Sequence, residues 1–330
     1  MNSSILSRRH LLAAAAGLGA ASALPFERSL AKTPVPTQQV PAFYRFKIGS
    51  MNATVVSDGD LAVGDPTAIF AGVDKEQIKA MLESRFLPLD GTPMEENVLV
   101  LDTGTKLVMF DAGMGPSTLF SKTSGRLRAN LKAAGIDPND IDAIVMSHAH
   151  ADHCWGLIDA AGKSSFPNAQ IYISQADFDF WTDEAKMSIK TPLDLAPFIM
   201  AAREALLPHR DRMIFFKDGQ EFLPGIQAMA APGHTVGHTI FIVSSAGQSL
   251  AVTADLTHHP VLLMELPRMF FVYDTDTVQS MASRARVLDM LAAQRIPLIA
   301  YHFPWPGIGN VAKNGEGFRF HPSRMIMQQA

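Results

Sequence analysis

The chain has 330 residues, of which 47% are hydrophobic and 18% charged, a globular composition long enough for one large or two modest domains and too apolar for a disordered chain. Its formal net charge of −4, with no lysine or arginine cluster forming a basic groove, excludes nucleic acid as an expected partner. The single cysteine, Cys154, leaves no intrachain disulfide and reads as a small buried apolar residue rather than a nucleophile or ligand.

In chain order, "SRRHLLAAAAGLGAASALPF" comes first: Arg8 and Arg9 precede an apolar stretch too short to span a bilayer, and "SLA" closes a small-x-small pattern at Ala31. Residues 1–31 resemble a twin-arginine export signal, which implies a periplasmic or secreted protein with no stable membrane association once the signal is removed. A membrane anchor or amphipathic helix is the alternative. Removing three basic and one acidic residue takes the formal charge from −4 to −6. A Pro-rich linker over 32–44 leads into a single expected domain over 45–330.

That domain starts as short strands, "YRFKIGS", "NATVVSDG" and "ENVLVLDTGTKLVMFDAG". The last is a hairpin, with Gly104 supplying the positive φ of its "DTGTK" turn. "DKEQIKAMLESRF" carries an apolar stripe of Ile78, Met81 and Leu82 at helical spacing, and "TSGRLRANLKAAG" is a second helix ended by Gly135. The buried strand "IDAIVMS" follows, then "AQIYIS" (strand), "QADFDFWTDEA" (helix) and a mixed helical region through 208. The strands "GIQAMAAPGHTVGHTIFIVSS" and "QSLAVTAD", the helix "DTVQSMASRARVLDMLAAQ" and the strand "PLIAYH" complete the pattern. Two β-rich halves packed face to face with helices outside, an α/β sandwich, are the expected architecture.

"SHAHADHCWG" places His148, His150, Asp152 and His153 directly after an apolar strand. In an extended loop, alternate residues share a side, so His148, His150 and Asp152 can converge while His153 points elsewhere, and one loop can serve two metals. The helix suggested by "CWGLIDAAG" is expected to begin after it. Further donors end apolar runs elsewhere: His234 in "APGHTVGHT", Asp255 in "LAVTAD" and His302 in "PLIAYH". Such placement is what a site at a sheet edge collects. Of the other histidines, His209 and His321 read as surface residues and His238 as a structural group.

The ordered set HxHxDH (148–153), His234, Asp255 and His302 resembles the metallo-β-lactamase superfamily over roughly residues 45–325. That resemblance implies a four-layer αββα sandwich and two divalent metal ions, with zinc the expected metal. His148, His150 and His234 would hold one, Asp152, His153 and His302 the other, with Asp255 bridging. Asp58 in "SDG" and Asp111 in "FDAG" match early strand-end aspartates of the superfamily; Asp111 is expected to support a ligand, and Asp58 could be turn chemistry alone. The implied reaction is hydrolysis by a hydroxide bridging the metals, a nucleophile generated because metals lower the pKa of bound water from about 15.7 to near 7. Asp152, Asp255 and His258 are the candidate catalytic residues.

Within the superfamily, Asp255 argues against true β-lactamases, and "CWG" with an export signal against glyoxalase II-like thioesterases. "GRLRANLKAAG", "FPNAQ", "GHTVGHT" and "HFPWPGIGNV…GEGFRF" resemble the secreted organophosphorus hydrolases of the methyl parathion hydrolase type and their lactonase relatives. The expected substrates are small esters and lactones, with phosphotriesters secondary; a primary phosphotriesterase and a non-catalytic periplasmic metal-binding protein are the alternatives. His258 and His259 in "DLTHHP" are candidates for the mouth of the site, and Phe120, Trp181 and Phe198 for an apolar pocket or for core. A homodimer is the assembly considered.

Overall fold

The computed structural model describes residues 42–189 and 194–326. The export signal and most of the linker therefore lie outside the described residues. The described chain opens with a strand at Phe43, inside the span read from sequence as linker.

The first seven-stranded sheet is built from β1 (Phe43–Ile48), β2 (Met51–Ala62), β4 (Pro93–Asp102), β5 (Leu107–Phe110), β6 (Ala143–Val145), β7 (Gln170–Ser174) and β8 (Met213–Phe216), in that spatial order; β3 (Phe70–Ala71) lies outside it. Its first four strands pair antiparallel and its last four parallel. The "DTGTK" hairpin forms as expected: Thr103 N–H donates to the Lys106 carbonyl at 3.0 Å, and Gly104 takes a φ of +84° that a β-carbon would disfavour.

The second sheet has β9 (Glu221–Leu223), β10 (Ile226–Ala230), β11 (Thr239–Ser245) and β12 (Gln248–Ala254) antiparallel in sequence order. Then β14 (Leu298–Ala300) lies parallel to β12, and β15 (Ile308–Asn314) and β16 (Gly317–Pro322) finish it antiparallel; β13 (Phe270–Phe271) pairs with β3 instead.

Three apolar clusters give the layer order. Val55, Leu99, Leu101 and Phe110 of the first sheet meet Phe241, Val243, Leu250, Val252 and Ile299 of the second, which is the contact between sheets. On the outer face of the first sheet, Val98, Val100 and Ile144 pack against Leu127 and Leu131 of helix α3 (Leu127–Ala133) and Ile199, Ala202 and Leu206 of α6 (Ala196–Leu206). On the outer face of the second, Ile240, Ala251 and Leu298 meet Val287, Leu288 and Leu291 of α8 (Thr277–Gln294). The result is the αββα sandwich. Alternation along each strand supplies one face to each neighbouring layer, and each such buried aliphatic side chain contributes about 1.5–3 kcal/mol.

A fourth cluster sits apart. Ile69 of α1 (Pro66–Ile69), Phe70, Ile78 and Leu82 of α2 (Lys75–Glu83), and Met94 pack with Leu262 and Leu263 of α7 (Leu262–Glu265), Met269 and Phe271. Two segments, one before β4 and one after β12, thus make a common wall, joined by the β3–β13 pair. Among the described residues, no helix is long and apolar enough to cross a membrane.

Candidate metal centre

All seven donors read from the sequence come together at one edge of the two sheets. His148, His150, His234 and Asp255 form one group, and Asp152, His153 and His302 another, with the candidate donor atoms of each within 4.8 Å of one another. Asp255 reaches both: its Oδ2 lies 3.1 Å from His234 Nε2 and 3.3 Å from His302 Nε2, and its Oδ1 3.2 Å from His153 Nε2. His302 Nε2 is also 3.3 Å from Asp152 Oδ2.

The loop after β6 reaches this geometry by a different route from the expected one. His150 is extended, but a helical turn, α4 (Ala151–Cys154), starts within the motif, and a 3-10 turn (Trp155–Leu157) continues it. Asp152 and His153 therefore diverge by the helical rotation between neighbours, not by strand alternation, and the helix begins before "CWG". Cys154 follows them inward; burial pushes its thiol well up, and it is the free, buried cysteine its composition suggests.

Four of the five ligating rings are braced through the far nitrogen. His148 Nδ1 lies 2.9 Å from Ser147 Oγ, which donates to Asp111 Oδ2, and His153 Nδ1 lies 2.9 Å from that same oxygen. Asp111 holds a φ of +61°, and Ala254, just before the shared carboxylate, one of +43°. Such backbone is costly for a side chain with a β-carbon and is retained where the surroundings over-determine it. His234 Nδ1 meets Asp274 Oδ1 at 3.0 Å, and His302 Nδ1 donates to the Glu95 carbonyl at 2.9 Å. Bracing of this kind fixes the tautomer, so that the inward Nε2 carries a lone pair. His238 is structural as expected: its Nδ1 donates to the Ala231 carbonyl while its Nε2 accepts the Asp255 N–H.

The inward atoms are otherwise unsatisfied. Nε2 of His148, His153 and His234, each facing Asp255, and Oδ1 of Asp255 are buried without a hydrogen-bond partner. Buried polar atoms left unmade cost about 1–3 kcal/mol each, more when charged, so their convergence at one point marks a place for cations. Two divalent ions fit this donor set; neutral imidazole with carboxylate is a zinc-type combination.

Electrostatics divide the rings into neutral ones and ones that carry a proton, which a bound cation would displace. Burial pushes His148 and His150 well down, keeping them neutral. Burial would do the same to His234 and His302, but Asp255 and Asp274 outweigh it at the former and Asp255 and Asp152 at the latter, holding both up at about 9. Burial would raise Asp255, yet the surrounding imidazoles pull it well below the carboxylate range.

A cavity of about 160 Å³ opens over the donors, lined by Phe120, Phe198, Met94, Leu61, Phe271 and Tyr273 together with His150, Asp152, His234, Asp255, His258 and His302. Among the described residues, no lysine or arginine lines it. Phe120 and Phe198 are thus pocket residues. Trp181 is fully buried and packs edge-on against His150 with ring centroids 4.8 Å apart, behind the ligand rather than in the cavity. His258 stacks on Phe271, and its Nε2 lies 3.0 Å from Asp255 Oδ2. Its neighbour is elsewhere: His259 Nδ1 accepts the N–H groups of Val261 and Leu262 at the start of α7. His209, expected at the surface, is buried, with Nδ1 donating to the Ala205 carbonyl; His321 is exposed.

Sequence reading missed several braces. Asp177 in α5 (Gln175–Thr182) accepts the N–H groups of Ala149 and Gly237, tying both ligand loops together, and burial pushes its carboxyl up to about 6. Asn97 donates to the carbonyls of Ala300 and Phe303 on either side of His302, and Tyr301 O–H to the Asp152 carbonyl. Asp58 is more than turn chemistry: buried, it accepts the N–H groups of Met114 and Leu127, joining β2 to the loop after β5.

A sequence profile of the Metallo-beta-lactamase superfamily matches residues 91–297. Among solved structures, the chain is similar to AidC, a dizinc quorum-quenching lactonase in complex with a product, N-hexanoyl-L-homoserine. Identity is 30%, coverage 88% of this chain and 100% of that one, and the TM-score 0.82. The hydrolase AbOPH, of the beta lactamase superfamily, shares the fold at 24% identity, with 88% and 100% coverage and a TM-score of 0.82. An N-acyl homoserine lactonase of Bacillus thuringiensis is 27% identical over 177 residues, 50% of this chain; the chain spans 61% of that relative's length.

Proposed function

Because the chain belongs to the metallo-beta-lactamase superfamily, we propose that it is a two-metal hydrolase of small, uncharged carboxylic esters and lactones. The observation that carries this reading is the cavity itself. Five of the seven metal donors, His150, Asp152, His234, Asp255 and His302, form the floor of a pocket whose walls are apolar and whose lining, among the described residues, holds no lysine or arginine. An anionic substrate would find no counter-charge on those walls, whereas a neutral ester can bury its alkyl part there and present its carbonyl to the floor. Donors facing an open cavity also favour catalysis over a purely structural metal site, which is closed on all sides. The likeness to AidC supports the lactone choice.

Bound there, two divalent cations would supply Lewis acidity and a water acidified toward neutral pH. The chain's own residues do the rest. Asp255 and Asp152 provide the negative charge that holds the pair, and the braced imidazoles keep the inward lone pairs aimed. Phe120, Phe198 and Phe271 exclude water from the reacting centre. His258 lines the cavity, donates through Nε2 to Asp255 and keeps a buried Nδ1 without a protein partner; as an acceptor, that nitrogen suits a substrate N–H.

A second reading, phosphotriester hydrolysis, draws on the same apolar walls, because a dialkoxy-phosphoryl centre also gains from apolar space. Purified, metal-assayed protein should be tested against lactones, aryl esters, phosphotriesters and a cephalosporin. We expect kcat/KM to be highest for a lactone or aryl ester; a preference for phosphotriesters over every carbonyl substrate would reverse the order of the two readings.

Export by the twin-arginine route to the periplasm or beyond is part of the same proposal, resting on Arg8 and Arg9 and the short apolar core. Replacing both arginines by lysine keeps the charge and should leave precursor in the cytoplasm. Normal delivery of that variant would remove the case.

A further inference from the structure

Arg284 is an arginine with no exposed surface, set in α8 outside every ligand motif. Its Nε donates to the Leu256 carbonyl at 3.0 Å, next to the shared Asp255. One terminal nitrogen donates to the carbonyls of Pro267 and Met269 at 2.9 and 3.1 Å, and the other to Ser280 Oγ at 3.1 Å. That second nitrogen also lies 3.5 Å from Asp274 Oδ2, while Asp274 Oδ1 meets His234 Nδ1. Burying a guanidinium is expensive unless its donors are matched, and here they reach the three pieces that surround His234. The main chain is locked alongside: Thr275 N–H donates to the His234 carbonyl and Asp276 N–H to that of Gly233. Gly233 sits so close to α8 that a β-carbon there would fall 2.0 Å from Ser280 N.

We infer that Arg284 is a positioning residue for one of the two metals: by orienting Asp274 it aims His234, so it sets the affinity of the group made by His148, His150, His234 and Asp255. The group made by Asp152, His153 and His302 has no such link, since those rings are braced by Asp111 and by the Glu95 carbonyl. The consequence is selective. Weakening Arg284 loosens one ion and leaves its neighbour held, whereas a residue that only stabilises the fold would loosen both together.

This inference rests on the two-metal reading, and the test separates the two. Chelator-stripped protein is titrated with cobalt(II) against a competing chelator, following the visible absorption of each equivalent; His234→Ala marks which step belongs to the His234 group. Arg284→Met and Asp274→Ala should each weaken that step by about 10–100-fold, the usual effect of losing an outer partner of a metal ligand. Arg284→Lys should fall between Met and wild type. The double variant should be no weaker than Asp274→Ala alone, because the arginine acts through the aspartate. If Arg284→Met does not fold, Arg284→Lys and Asp274→Ala carry the same readout. Equal weakening of both steps, or no change in either, overturns the inference while leaving the two-metal reading intact. Uptake of fewer than two cobalt ions by wild type overturns both.

Discussion

His234 and His302 stand in matching relation to Asp255, each with Nε2 just over 3 Å from the same carboxylate oxygen. Behind His234 is a side-chain carboxylate turned by an arginine; behind His302 is a main-chain carbonyl of β4, with Asn97 gripping the turn on either side. The difference shows two ways of fixing a ring. A carbonyl inside a sheet is set by strand register and cannot be removed by substitution, so the His302 side is built into the sandwich. The carboxylate side is made by side chains and can be altered without moving a strand.

The largest effect is expected where the two sides meet. Asp255→Ala removes the one donor that both groups share, and should cost more activity than the 10–100-fold typical of an outer partner, with loss of metal from the purified protein. Retention of both ions with full activity would show that the two groups do not depend on a common carboxylate. Next come the braces. Asp111→Ala withdraws support from His153 directly and from His148 through Ser147, so both metal affinities should fall by about 10–100-fold. Asn97→Ala should weaken only the side that holds His302. Stepwise cobalt titration reads both, and an Asp111 variant that loosened a single step would contradict its contact with both rings.

These contrasts explain what could be read from the residues alone. The seven donors were legible because each ends an apolar run, so a strand end implies a fixed position before any contact is known. The layer arrangement was legible for the same reason, since alternation and helical stripes name the buried faces. The course of the ligand loop was not, because "ADHC" carries neither a side-chain cap nor a stripe to reveal a helical turn only four residues long. Asp274 and Arg284 lie 40 and 50 positions beyond His234, and only the packing of α8 on Gly233 brings them to it. His209 reads as a surface residue because the charged Arg210 and Asp211 follow it; the Ala205 carbonyl at the end of α6 draws it inward. The hairpin of β15 and β16 and the strands β8 and β9 escaped notice because each is short or largely exposed on one side.

The smallest expected effect lies in the pocket wall, which both metal groups face. His258→Leu should lower kcat/KM for lactones or aryl esters relative to phosphotriesters by about tenfold, or ~1.4 kcal/mol of differential transition-state stabilisation. An unmoved ratio would leave His258 as packing between Phe271 and His302 and no more.

The central claim is that the donors form two metal sites sharing Asp255. Elemental analysis of the purified chain, paired with activity during stepwise removal of metal, tests it most directly. Close to two divalent ions per chain are expected, with full activity only when both are present. A chain that holds a single ion and hydrolyses its best substrate at full rate would contradict it.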